Sequence, residues 1–71
     1  MPKIDPLLSA WISLCWREFG QKTHHPETLA TLQVVTRHLI AGHVLLAERA
    51  VACDPVARRL FAAAIEEASD D

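Results

Sequence analysis

Long hydrophobic runs, clusters of Lys and Arg, paired cysteines and glycine-rich turns are all missing from this sequence. The longest uninterrupted apolar stretches, residues 44–47 and 60–65, fall far short of the ~20 residues that a membrane-crossing helix needs. The first residues hold one Lys, then Asp5, and no small-residue cleavage site follows the largely apolar stretch 7–15. A secretory signal is therefore not expected, and the cytoplasm is the default location. Cys15 and Cys53 are too few for a disulfide scaffold and form no C-x-x-C pair. Each falls on an apolar helical stripe, where a thiol acts as a small hydrophobe. Seven Lys and Arg stand against nine Asp and Glu, and the basic residues do not cluster, so the electrostatic footprint of a phosphate-binding surface is lacking. Alternating apolar runs and Asn-Gly or Asp-Gly turns are absent too, which leaves no β-hairpin signal.

What remains is apolar enough to fold. Hydrophobic residues make up 51% of the 71, too many for a disordered tail. The length allows one domain, residues 1–71. At this size folding hides only about 60% of the unfolded chain's surface, so a catalytic cleft with its supporting shell is hard to build.

Prolines set the organisation, because Pro has no N–H to lose at the first helical position. Asp5-Pro6 and Asp54-Pro55 repeat one device, a capping carboxylate followed by a proline. His25-Pro26-Glu27 is a third start with a weaker cap. Gly20 suits a left-handed residue after a first helix, and Asp54 before its proline ends a second. The spacing predicts an all-α, three-helix protein, with helices at about 6–19, 26–53 and 55–69. The long central helix is flanked by two short ones.

The first helix places Leu7, Leu8, Trp11, Ile12, Leu14, Cys15 and Phe19 on one broad arc. Glu18 interrupts that arc, either at a fraying end that reaches water or paired with a cation from another chain. Trp16 lies off it, as a ring flat on a neighbouring helix or as an interface anchor. In the second helix, a heptad count from Leu29 gives a positions Leu29, Thr36, His43 and Ala50 and d positions Leu32, Leu39, Leu46 and Cys53. Thr36 and His43 are polar residues on this apolar seam. Either each bonds a partner within the fold, or the two meet their symmetry mates across a two-fold axis. Gly42, inside the helix, suggests a close helix crossing. The third helix is amphipathic, with Leu60, Phe61 and Ile65 opposite Arg58, Arg59, Glu66 and Glu67, and Asp70 and Asp71 extend an acidic end.

No catalytic constellation emerges. His24 and His25 are adjacent and His38 and His43 five apart, whereas two ligands on one helical face need a spacing of three or four. Neither a metal nor another cofactor is expected, and no enzyme activity. Trp16, Val34 and Leu45 fall outside the arcs that a monomeric bundle would cover, and exposed apolar patches mark interfaces. The expected function is therefore a protein-interaction module, an adaptor, chaperone or inhibitor acting as a homodimer. Leu32, Thr36, Leu39, His43 and Leu46 are the expected self-contact, and Trp16, Arg17, Val34, His38 and Leu45 the partner surface. The alternative is a small DNA-binding regulator that presents Arg58 and Arg59 from the third helix.

Overall fold

The computed structural model describes residues 5–21 and 25–69. Every regular element among them is an α-helix: α1 (Pro6–Gln21), α2 (Pro26–Ile40), α3 (Val44–Val51) and α4 (Pro55–Ser69). His24, Asp70 and Asp71, considered above for metal binding and as an acidic end, lie outside the described residues.

The three proline starts stand where the sequence places them. Asp5 accepts a hydrogen bond from the Leu7 amide through Oδ1 at 2.9 Å. Asp54 Oδ1 accepts from the amides of Val56 and Ala57 at 2.9 and 3.2 Å, so one carboxylate oxygen satisfies two donors that open α4. Its Oδ2 accepts from the Thr28 hydroxyl at 2.8 Å. Thr28 is buried near the start of α2, so the cap of one helix also ties down another.

The continuous second helix is a correction. Residues 26–53 form two helices joined by Ala41–His43, giving four helices where three were expected. Gly42 is the cause, with φ of +81°. The Gly42 amide donates to the Leu39 carbonyl at 3.1 Å and the His43 amide to the His38 carbonyl at 2.8 Å. That pair of bonds is the Schellman arrangement that closes a helix through a left-handed glycine. Gly20, expected to play this part, instead sits inside α1. A straight helix of 28 residues would run about 42 Å, longer than the 36 Å greatest extent of the molecule. The break folds α3 back on α2.

The same break ends the heptad register. Leu32 and Leu39 point into the core, whereas beyond the glycine Ala47 and Val51 take the inward positions and Leu46 turns outward. His43 stands exposed immediately before α3, and Cys53 is exposed rather than on a buried stripe.

One core holds the four helices together. Trp11 and Val35 are fully buried at its centre, with Leu39, Leu60 and Phe61 around them. The indole ring of Trp11 meets Phe61 edge to face, with centroids 5.9 Å apart and planes inclined at 69°. Its Nε1 donates to the Thr36 hydroxyl at 2.8 Å, and that hydroxyl donates onward to the Leu32 carbonyl at 2.8 Å. The first of the two readings of Thr36, a bond within the fold, is the one observed. α1 packs extensively along α4 but meets α2 over a shorter span.

Replacing Thr36 tests the indole contact. In Thr36→Val the shape is kept but the buried Trp11 N–H loses its acceptor, and we expect a stability loss of about 1–3 kcal/mol. Thr36→Ser, which keeps the acceptor, should lose less. Urea denaturation of the two variants beside the parent protein measures the difference.

Candidate functional site

Because Trp11 turns inward, the next residues of α1 turn outward on the α2 side. Ile12, Trp16 and Phe19 recur at the spacing of one helical face and remain 39%, 74% and 44% exposed. Across from them α2 presents Gln33, Thr36 and Arg37. Two adjoining hollows of about 390 and 320 Å³ lie between these rows and share Cys15, Phe19 and Thr36, so they form a single open groove.

Its floor is inert. The Thr36 hydroxyl is already engaged as both donor and acceptor within the chain. Burial, with a smaller contribution from the nearby Glu18 carboxylate, pushes the Cys15 thiol up to about 11. At neutral pH it is therefore protonated and a poor nucleophile. A protonated thiol beside an engaged hydroxyl presents a largely apolar floor.

Glu18 faces away from the groove. Its Oε2 accepts from Arg59 Nη2 at 2.9 Å, joining α1 to α4. Its side chain keeps 11% exposure while that of Arg59 keeps 59%, so the carboxylate is the group withdrawn from water. The pair corrects both readings of Glu18, since the residue neither frays into solvent nor waits for a cation from another chain.

The expected partner surface divides. Trp16, Arg17, Val34 and Leu45 are all exposed and His38 is half-buried. At 100° per residue Arg17 stands roughly 100° round α1 from Trp16, away from the groove. Val34 and His38 occupy the side of α2 turned from α1, and Leu45, at 74% exposure, projects from α3. Arg37, which sequence reasoning passed over, lines the groove instead. Its spacing of four from Gln33 and one from Thr36 was the available signal, but only the pairing of α1 with α2 shows which side of α2 matters.

The expected self-contact divides as well. Leu32 and Leu39 are 2% exposed, taken up by the chain's own core, and Thr36 serves Trp11. His43 and Leu46 remain at the surface, at a corner where Ile40, Val44 and Leu45 are also exposed.

Among the described residues no three His, Cys, Asp or Glu side chains gather as a metal site, and no helix is long and apolar enough to cross a membrane. Comparison with protein-family models, with curated proteins and with solved structures finds no match.

The two thiols should differ sharply. An aromatic disulfide reagent at pH 8 is expected to modify the exposed Cys53 quickly and Cys15 only on unfolding, giving one fast equivalent per chain. Because the folded thiol of Cys15 has the raised value, its contribution to stability is whole below the ordinary value of 9.0 and is lost as pH rises toward about 11. A thermal melt of Cys53→Ser between pH 8 and 11 should fall more steeply than one of the Cys15→Ala, Cys53→Ser double variant.

Proposed function

We propose that this chain is a protein-interaction module without chemistry of its own, which binds another protein through the α1–α2 groove and pairs with a second copy at the α2–α3 corner. The observation that carries the reading is Trp16, a residue 74% exposed at the mouth of an apolar groove. Tryptophan is enriched among residues that dominate binding energy, and its burial is not required by the core. Large apolar side chains left in water around one hollow are the mark of a contact surface rather than of a catalytic pocket, which needs convergent polar groups.

For self-association the support is the corner. Ile40 and Leu45 are 67% and 74% exposed, and Val44 and Leu46 flank them. No carboxylate occurs between Glu27 and Glu48, so a two-fold contact there brings no acidic pair together.

A second reading, a DNA-binding regulator, has one observation in its favour: α3 and α4 are joined by only residues 52–54, a length suited to a helix-turn-helix. Against it, Arg59 is engaged by Glu18, and Glu66 and Glu67 follow on the same helix. A fluorescence titration with random duplex DNA at low salt would show micromolar, steeply salt-dependent binding if this reading held.

Two measurements test the main proposal. A pull-down from the source cell, with mass-spectrometric identification, should capture a protein on the parent chain and lose it on Trp16→Ala. A typical anchor loss is about 2 kcal/mol or more, with the circular-dichroism melt unchanged because the ring is exposed. Collapse of the melt would place Trp16 in the core instead. Light scattering at micromolar concentration should give twice the 7.9 kDa chain mass, and Leu45→Ser should halve it; a monomer in the parent protein removes the dimer.

A further inference from the structure

We propose that the groove between α1 and α2 receives one amphipathic helix of a different protein, with about two turns of apolar side chains inserted and a carboxylate set against Arg37. The inference rests on the interaction-module reading and adds the chemistry of the partner. Length is the first argument. Ile12 to Phe19 spans seven residues, about 10.5 Å at 1.5 Å each, which is the reach of i, i+3 or i+4, and i+7 anchors on an inserted helix.

Chemistry is the second. Among the described residues, the hydroxyl on the floor, that of Thr36, is engaged from within the chain, and the thiol beside it is neutral. The polar side chains Gln33 and Arg37 stand on the α2 wall rather than on the floor, where aliphatic side chains lose no hydrogen bond on entering. Trp16 and Phe19 on one wall suit such side chains.

Charge decides the occupant. Arg37 is exposed on the α2 wall and makes no ion pair among the described residues. Among the described residues no carboxylate lines either hollow, and Glu18 on the same helix is turned to Arg59. A second copy placed here with its two-fold axis close to Arg37 would set that residue near its own mate, with no acid from the described lining between them. An acidic residue flanking an apolar stripe complements the site, and like charges disfavour the wrong partner.

The test is a selection on the intact protein with a phage-displayed library of 16-residue helices whose exposed positions are randomised. Enriched helices should carry apolar residues at i, i+3 or i+4, and i+7 with Asp or Glu beside them. A synthetic peptide of the enriched sequence, followed by fluorescence anisotropy, should bind at least tenfold more weakly to Arg37→Glu and to Trp16→Ala. Replacing its acid by Lys should restore binding to Arg37→Glu. Circular dichroism of both variants should match the parent protein. The proposal is overturned if no helix is enriched, if enrichment shows no acidic preference, or if that preference survives Arg37→Glu. It is also overturned if the oligomer mass falls on Trp16→Ala but not on Leu45→Ser, since the second copy then fills the groove. Should the pull-down capture a protein through Trp16 while the selection fails, the interaction module stands and only the acidic helix is lost.

Discussion

A buried indole needs an acceptor for its N–H, and the arrangement of this small protein follows from how Trp11 finds one. Leaving that donor unsatisfied in a dry core would cost about 1–3 kcal/mol, a large share of the stability a domain of this size possesses. Carbonyls inside helices already accept one amide each, and here the acceptor is a side chain on a neighbouring helix. Thr36 is suited to it because a hydroxyl both accepts and donates: it takes the indole proton and passes its own to the Leu32 carbonyl. With the edge-to-face contact on Phe61, Trp11 thus fixes α1 against α2 and α4 together. The outward face of α1 follows as a consequence. Five residues advance a helix by roughly 140° beyond one full turn, so placing Trp11 at the centre sends Trp16 to the surface.

Two polar links close the remaining side. The Asp54 carboxylate caps α4 and holds Thr28 of α2, while Glu18 and Arg59 fasten α1 to α4. In each, a buried oxygen or hydroxyl is matched by a donor or acceptor from another helix, as buried polar groups require. Both links draw their helices toward α4. Neither draws α1 toward α2, where the indole bond is the side-chain hydrogen bond seen among the described residues, and a groove stays open between the two helices.

Much of this architecture can be read from local chemistry. The Pro6, Pro26 and Pro55 starts and the Asp5 and Asp54 caps depend on residues adjacent in sequence, and α4 begins and ends where that reading places it. The glycines resist. Gly20 and Gly42 are equally plausible helix terminators by type, and an unbroken heptad count runs through Gly42. What separates them is tertiary: continuing α2 past Ile40 would carry its apolar face beyond the reach of α1 and α4. The apolar contact that often accompanies a glycine stop is missing too, because its two positions here are His38 and His43. The site is legible in half. Trp16 stands out because it leaves the arc of its own helix, a one-helix property. Arg37 belongs to the groove only through the packing of a second helix, and no spacing within α2 distinguishes its side from that of Val34.

An open groove in so small a molecule has a thermodynamic reading. A chain of 71 residues hides a modest fraction of its surface, and closing α2 onto α1 would bury Ile12 and Phe19 more fully. That closure would require Thr36 to abandon its bond to Trp11 or α1 to rotate off α4, exchanging satisfied buried polar groups and a well-packed ring for a few half-buried side chains. The indole bond is therefore a spacer as much as a tie. It holds the two walls at a separation at which the apolar area stays available to something outside the chain. Whatever binds only the folded form adds RT ln(1 + [L]/Kd) to its stability. On the proposed reading, association would complete the burial that the fold leaves undone between α1 and α2, and folding and recognition would draw on the same side chains.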